Sequence, residues 1–156
     1  MIPATNEGIL QLLVDDGKEA VLQKETNQVF YLLKTDKQEF AVFFRFYEGE
    51  ELLQILTFFP MQLKKERYDT MARMLHYLNR EIDLPGFGMD EKLGVVFHRI
   101  MVPIYGEGKL EKEAIKSYID AIEKIAEHFF TIIHGTAEST LSYEEILKKS
   151  QIKSGN

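Results

Sequence analysis

Three apolar segments separated by short polar turns constrain the fold more than any other feature of the sequence. They span 29–33, 40–47 and 52–59, and the gaps hold Thr35-Asp36-Lys37 and Glu48-Gly49-Glu50. Connections this short join antiparallel neighbours, because a parallel pair needs a crossover of about a dozen residues or more. The segments therefore predict a three-strand antiparallel meander.

The middle segment, Phe40-Ala-Val-Phe-Phe-Arg-Phe-Tyr47, is apolar at successive positions. Side chains of a strand alternate between its two faces, so both faces of this segment are apolar. That pattern is typical of a central strand that is covered on each side over part of its length. Before the meander, residues 20–25 either extend the first strand or form a separate one, and the sequence leaves this open.

Helical periodicity occurs on both sides of the meander. An apolar stripe predicts a first helix over 5–17, with Thr5 or Asn6 as its N-cap. Pro60 ends the meander, because proline cannot donate a ladder hydrogen bond. After it, apolar residues recur with a period of 3.6 and predict a second helix over 64–82.

A second hairpin is predicted over 87–89 and 95–102, after the break at Pro85-Gly86. A flexible hinge at 105–109 then leads into the longest helix, 110–134, which Gly135 is placed to end. The expected fold is therefore α+β, an antiparallel sheet made of a three-strand meander plus a hairpin and packed by helices. The predicted element order is α-βββ-α-ββ-α.

The apolar stripe of the longest helix is wider than a single sheet face normally covers. Tyr118, Ile125 and Ile132 widen it on one side, so we expect this helix to bury two sides. These three residues are candidates for a dimer or partner surface.

Two strand arginines are further candidates for partner binding. Arg45 lies between Phe44 and Phe46, and Arg99 follows Phe97-His98. One interpretation places both on a solvated face with the charged head in water. The other has them recognise carboxylates of a partner, which the guanidinium group binds with two parallel hydrogen bonds.

The domain is expected to end near residue 135. Residues 136–156 then form a polar C-terminal tail, in which Ser142-Tyr-Glu-Glu145 matches the capping box that opens a helix. A possible short helix follows through Lys149, and the residues from Ser150 onward are expected to fray.

Composition argues against several classes of function. The chain has no cysteine, so disulfides, thiolate metal sites and cysteine nucleophiles are excluded. Its formal net charge of −6 repels phosphate backbones, and no nucleic-acid partner is expected. Residues 1–7 lack the basic and apolar regions of a secretion signal, and no apolar run approaches the roughly 18 residues of a membrane span. We therefore expect a cytoplasmic protein without a membrane partner.

No side-chain pattern indicates catalysis. The histidines lie at positions 76, 98, 128 and 134, and none has a second ligand at metal spacing on the same helix face. Gly106-Glu-Gly-Lys109 superficially resembles a phosphate loop, but Leu110 stands where that loop needs Ser or Thr. No catalytic, cofactor-binding or metal site is predicted.

Several segments together resemble the YbjN-like family, which shares its fold with type III secretion chaperones. They are Leu78-Asn79, Pro85-Gly86-Phe87-Gly-Met89-Asp90, Gly94-Val-Val-Phe-His-Arg99-Ile-Met-Val-Pro103, and Leu110 with Glu113. The resemblance covers about 5–134 and implies a compact antiparallel sheet packed by helices, commonly a homodimer, with no catalytic residues to carry over.

The resemblance and the wide stripe together lead to one functional hypothesis and two alternatives. The first is a non-catalytic, chaperone-like module that dimerises and holds a partner polypeptide, such as a secreted effector, through apolar surface. The second is a YbjN-like regulatory or sensory domain with a protein partner but no secretion cargo. An enzyme of unknown class is a distant third.

Overall fold

The structure is a computed structural model that describes residues 1–49 and 51–154. Its elements, in chain order, are β1 (Ile2–Pro3), α1 (Asn6–Asp15), β2 (Ala20–Gln23), β3 (Gln28–Lys34), β4 (Glu39–Tyr47), β5 (Leu52–Phe58), a 3-10 turn (Lys65–Arg67), α2 (Tyr68–Glu81), β6 (Phe87–Asp90), β7 (Val95–Pro103), β8 (Lys109–Leu110), α3 (Lys112–Glu138) and α4 (Tyr143–Ser154). The predicted α+β class is confirmed.

One antiparallel sheet of six strands organises the molecule, in the order β2-β3-β4-β5-β7-β6. The predicted meander is β3, β4 and β5, and the predicted hairpin is β6 and β7. The hairpin joins the meander through β7, which pairs with β5. The segment 20–25, for which the sequence allows two assignments, contains a separate edge strand, β2, which pairs with β3.

The helices pack on one face of this sheet. Buried side chains from α1, α2, α3 and α4 join those of alternate strand positions in a single hydrophobic core. Phe40 of β4 shows how the layers meet, because its ring contacts Phe59 at 5.2 Å and Phe130 of α3 at 5.8 Å between centroids. Ala41 and Phe43 on the other face of β4 are half-buried but lie outside this core, so the cover expected on that side is not found among the described residues.

Helix α1 begins at a defined cap. Thr5 is the N-cap, and its hydroxyl accepts a hydrogen bond from the Gly8 backbone N–H at 3.1 Å. Gly8 has no room for a side chain, since a Cβ atom would lie 2.2 Å from the Pro3 carbonyl oxygen. The N-terminal residues thus lie directly against the helix, and Ile2–Pro3 pairs with Lys109–Leu110 as a short second sheet.

Helix α2 begins later than predicted. Residues 65–67 form a 3-10 turn, and neither this turn nor α2 has a side-chain N-cap. Arg67 instead turns towards the C-terminal part of the chain, where its Nε donates to the Thr136 carbonyl oxygen at 2.8 Å and its Nη2 to that of Leu141 at 2.8 Å.

The side-chain amide of Asn79 fixes the turn from α2 into β6. Its Oδ1 accepts from the backbone N–H groups of Gly86 at 3.1 Å and Phe87 at 2.8 Å, and its Nδ2 donates to the Phe87 carbonyl at 3.0 Å. Gly86 passes so close to β7 that a Cβ atom would lie 2.1 Å from the Arg99 carbonyl oxygen. The geometry of this turn therefore explains why the sequence has Asn79 at the end of α2 and Pro85-Gly86 before β6.

The longest helix, α3, differs from its prediction at both ends. The expected hinge before it contains strand β8, so the helix begins at Lys112, and it continues past Gly135 to Glu138. Thr136 and Ala137 are buried, and the Thr136 hydroxyl donates to the Ile132 carbonyl at 2.7 Å. Burial of these two residues outweighs the cost of about 1 kcal/mol for a glycine within a helix.

The residues after α3 form a helix that packs on the domain. Ser142 accepts from the Glu145 backbone N–H at 3.1 Å, as the capping pattern predicts, and α4 then runs from Tyr143 to Ser154, beyond the expected end at Lys149. The Ile146 side chain of α4 belongs to the core. The segment from Ser150 onward, expected to fray, is assigned to α4 as far as Ser154, and residues 155–156 lie outside the described part.

A polar cluster ties α3 to the strands at the other end of the core. Glu123 pairs with Lys18 at 2.6 Å and accepts a hydrogen bond from the Tyr31 hydroxyl at 3.1 Å. Burial, reinforced by the Glu123 carboxylate, raises the pKa of Tyr31 well above its usual range. Tyr31 therefore stays neutral and acts as a hydrogen-bond donor.

The buried imidazole of His98 predicts a loss of stability in mild acid. His98 is 1% exposed, and its Nε2–H donates to the Leu84 carbonyl at 2.8 Å. Burial lowers the pKa of His98, so the unfolded chain binds a proton more readily than the folded one. The free energy of unfolding should therefore fall once the pH drops below about 6.5, where the unfolded imidazole begins to protonate.

The measurement is urea unfolding at pH 7.5 and pH 5.5 for the wild type, His98→Leu and His76→Leu. His76 is exposed on α2 and serves as the control. The loss of stability between the two pH values should be smaller in His98→Leu than in the other two proteins. Equal losses in all three would show that His98 does not titrate across this range on unfolding.

Candidate functional site

The face of the six-stranded sheet that points away from the helices, here called the open face, carries a set of apolar side chains. They are Val21, Phe30, Leu32, Ala41, Phe43, Leu56, Phe58, Val95, Phe97 and Met101. None of these belongs to the hydrophobic core or to the partly buried residues packed against it. No described element of the chain covers them.

Strand register arranges this face in two adjacent rows. The Phe43 row contains Val21, Phe30, Phe43, Leu56 and Arg99, and the Ala41 row contains Leu32, Ala41, Phe58, Phe97 and Gly88. Residues directly opposite each other on paired strands have Cβ atoms about 5 Å apart, so each row is a continuous surface.

Aromatic rings contact one another along and between these rows. Phe30 stacks on Phe43 with 5.4 Å between ring centroids, and Phe43 meets Phe58 edge to face at 5.7 Å. Phe97 lies across its strand neighbour Gly88, where an added Cβ would be 2.8 Å from the ring. The rings are therefore half-buried by one another and leave a smooth apolar surface to solvent.

The edges of the open face are more exposed. Val21 is 50% exposed, Leu32 41% and Met101 37%. The six strands span about 24 Å, and the rows with their flanking residues extend about 20 Å along them. Contiguous apolar patches on soluble monomers rarely exceed a few hundred Å², which makes the open face a candidate interaction site.

Both predicted arginines lie on the open face. Arg45 is exposed beside Gln54, and its guanidinium carbon lies 5.1 Å from the centroid of the Tyr47 ring. Arg99 is exposed at the end of the Phe43 row. Their Cα atoms are about 12 Å apart from strand spacing and rise. Within the described residues neither arginine forms an ion pair.

The other three predicted residues lie on α3, on the opposite side of the sheet. Tyr118, Ile125 and Ile132 are half-buried and pack against the edge of the core. The structure thus divides the five candidates into two groups, with the arginines on the open face and the three α3 residues in the helical layer.

Ile132 also lines a groove of about 710 Å³ between α2, α3 and α4. Its lining includes the apolar residues Leu78, Phe129, Leu141 and Ile146 together with polar residues. The position of α4 creates this groove. Polar contacts hold α4 in place, because Arg73 of α2 pairs with Glu144 at 2.6 Å and stacks on the Tyr143 ring at 4.2 Å.

The described residues contain no group of three or more His, Asp or Glu side chains that could hold a metal ion. Among the buried side-chain atoms that lack a hydrogen-bond partner in the described residues, Thr57 Oγ1 and His98 Nδ1 lie on directly paired strand residues, but they face the core and not a surface. Among the described helices, none is both long and apolar enough to cross a bilayer.

The sequence pattern that defines the YbjN family, described as "Putative bacterial sensory transduction regulator", matches residues 6–134. The chain belongs to the YbjN family. The predicted resemblance is therefore confirmed, and α4 lies beyond the part of the chain that the family pattern covers. No curated protein matches the sequence.

Solved structures support the same fold. The crystal structure of YbjN from E. coli has a TM-score of 0.64 at 8% identity, covering 88% of this chain and 95% of that one. The HopA1-SchA chaperone-effector complex has a chain with a TM-score of 0.53 at 15% identity, covering 78% and 89%. A chain of the ExsC-ExsE complex has a TM-score of 0.54 at 18% identity, covering 82% of this chain and 95% of that one.

The aromatic residues of the open face are the part of the site that the sequence reading missed. The signal was present, since Phe30, Phe43, Phe58 and Phe97 alternate with buried residues of their strands. The apolar second face of β4 predicted only that this strand is covered on each side over part of its length. An apolar face of a sheet indicates that another layer packs on it, but that layer can belong to another molecule.

The two sides of α3 can be separated by substitution. Ile119 is 2% exposed, so Ile119→Asp should abolish cooperative thermal unfolding, because a carboxylate without a partner is costly to bury. Ile125 is half-buried, and Ile125→Asp should keep a cooperative transition at a lower temperature. If both variants unfold alike, the two positions share one buried environment.

Arg67 should control the attachment of α4. Arg67→Met keeps an unbranched apolar stem but leaves two partly buried carbonyl groups without donors, at a cost of about 1–3 kcal/mol for each. Hydrogen exchange of the α4 amides should accelerate at least about tenfold, while exchange in β4 and β5 stays unchanged. Arg80→Met, at an exposed position of α2, is the control and should exchange as the wild type does.

Proposed function

We propose that this YbjN-family chain is a non-catalytic protein-binding module, which dimerises and engages a partner polypeptide in a chaperone-like manner through apolar surface. The observation that carries the proposal is the open face, where ten apolar side chains lie outside the core. Full burial of one large apolar side chain contributes about 1.5–3 kcal/mol, so covering this face strongly favours association.

The chemistry of the open face is that of a protein interface. Large aromatic side chains and arginines are enriched where proteins meet, and they contribute most of the binding free energy. Here Phe30, Phe43 and Phe58 form the centre, and Arg45 and Arg99 lie beside it. A rigid sheet also presents this surface with little loss of conformational entropy on binding.

Binding accounts for the structure better than catalysis does. An acid–base or nucleophilic mechanism needs side chains placed together with perturbed pKa values in a cleft. In the described part of the chain, the groups with raised or lowered pKa are Tyr31 and His98 in the core and Glu144 on the surface. They lie in separate places and do not form a common site.

Two of the similar structures, a chaperone-effector complex and the ExsC-ExsE complex, are complexes of two different proteins, which supports a polypeptide partner for this chain. The half-buried residues Tyr118 and Ile125 of α3 remain a second candidate surface for that partner. We further place the protein in the cytoplasm, in keeping with a chain that has no cysteine, and its net negative charge argues against a nucleic-acid partner.

The groove between α2, α3 and α4 favours one alternative function. Its volume of about 710 Å³ lies within the range of about 300–1,000 Å³ for small-molecule sites, and its lining is largely apolar. A domain that senses a ligand here and passes the signal to a protein partner matches the family description of a sensory transduction regulator. In that role the chain would carry no secretion cargo.

The proposal is tested by comparing two leucine substitutions. Leu32→Asp places a charge on the open face, whereas Leu93→Asp makes the same change at an exposed position in the turn between β6 and β7. Both variants should unfold cooperatively near the wild-type temperature. Leu32→Asp should lose at least about 90% of the polypeptide that co-purifies with wild type from native cytosol, or at least about 90% of the self-association of the wild type. The reason is that a charged side chain is costly to remove from water.

Leu93→Asp should retain both properties. If folded Leu32→Asp associates with itself and with other polypeptides as the wild type does, the open face is not a protein interface and the proposal fails.

A further inference from the structure

We propose that the open face packs against the open face of a second copy of this chain, about a two-fold axis that runs across the strands. The inference rests on the proposed function and names the partner of the same surface. The axis would follow the row of directly paired residues Tyr31, Val42, Thr57 and His98, which lies midway between the Phe43 row and the Ala41 row.

This axis exchanges the two rows between the copies. On β4, the residue that lies n positions after Val42 in one copy then faces the residue that lies n positions before Val42 in the other copy. The same rule holds about Tyr31 on β3, Thr57 on β5 and His98 on β7. On β3, β4, β5 and β7, each position of the Phe43 row therefore faces the Ala41 row of the second copy on the same strand.

The resulting contacts match large side chains with smaller ones. They pair Phe43 with Ala41, Phe30 with Leu32, Leu56 with Phe58, and Met101 with Val95 of the second copy. Alternation of large and small residues lets the inner faces of a sandwich interdigitate at about 10 Å between sheets. Arg99 would lie over the Phe97 ring of the second copy, an arrangement that favours a cation–π contact.

The same axis also brings opposite charges together. Arg45 lies three positions after Val42, and Glu39 lies three positions before it, on the same face of β4. Both side chains are exposed, and neither forms an ion pair within the described residues. The symmetric arrangement sets Arg45 of each copy against Glu39 of the other, so two ion pairs form for each dimer.

The second possible two-fold axis, along the strands, does not give this match. It would exchange β4 with β5 and set Arg45 against Gln54 of the second copy. Glu39 would then face the end of β5, which carries no cation. Charge complementarity therefore selects the axis across the strands.

The size of the open face is suited to a stable dimer. Its projected area is about 500 Å² from the strand spacing and rise. The accessible area of the face is larger than its projected area, because side chains stand out from the sheet. The accessible area therefore approaches the roughly 800 Å² that each partner buries in a standard interface. Two twisted sheets pack face to face at about 30°, within which long Arg and Glu side chains still reach each other.

A charge exchange tests the pairing. The variants are Arg45→Glu and Glu39→Arg, measured by sedimentation equilibrium at low ionic strength, where exposed pairs are least screened. Each single variant sets like charges opposite each other at two places and should weaken the dimer at least about tenfold. An equimolar mixture of the two variants should restore wild-type affinity, because every Glu then faces an Arg in the mixed dimer.

Contact within one chain cannot produce this restoration, since positions 39 and 45 are about 20 Å apart along an extended strand. A wild-type dimer that neither variant weakens would overturn the proposed pairing, and so would single variants that remain weak when mixed. A wild-type chain that is monomeric at about 100 μM, well above the Kd values of specific interfaces, would also overturn it.

Leu32→Asp separates this inference from the proposed function. If the wild type is monomeric but Leu32→Asp loses a co-purifying polypeptide, the open face binds another protein, and the inference alone fails. If the wild type is monomeric and Leu32→Asp retains that polypeptide, both the inference and the proposed function fail.

Discussion

Burial of only one face of the sheet is the constraint on which the rest of the structure depends. The four helices share a single core with alternate strand residues such as Val42 and Ile55. The intervening residues, including Phe43 and Phe58, are as apolar as those in the core but have no layer above them. A sheet with two apolar faces and one helical layer is incomplete by the logic of layered packing, because each apolar face needs a cover.

This arrangement gives the molecule two different sides. The helical layer contains the partly buried polar contacts of Glu123, Arg67 and Asn79, which link separate parts of the chain. The opposite side consists of rigid strands with rings and two arginines. This division suits the proposed role in protein binding, since the strands hold the residues of the open face in place and the helices supply the stability. The extension through α4 adds a groove to the helical side without affecting the open face.

Local signals in the sequence were sufficient to predict most of the elements. Short polar turns required antiparallel neighbours, and the capping pattern at Ser142 marked the start of α4. Predictions that relied on a single residue were less successful. Gly135 did not end α3, because burial of Thr136 and Ala137 contributes more than the intrinsic cost of glycine in a helix. Arg45 and Arg99 were identified as exposed strand residues, although their common face could be recognised only from the strand register.

The sequence by itself determined the antiparallel meander, the hairpin, the helical stripes and the apolar character of both faces of β4, because turn length and side-chain alternation are local properties of the chain. The tertiary structure decided that the hairpin joins β5 through β7, that α4 packs on α2 and α3, and which face of the sheet stays open. These outcomes depend on which apolar surfaces meet across long sequence separations. Residues such as Phe43 and Phe44 are equally hydrophobic, and only the packed helices distinguish Phe44, which lies in the core, from Phe43, which lies on the open face.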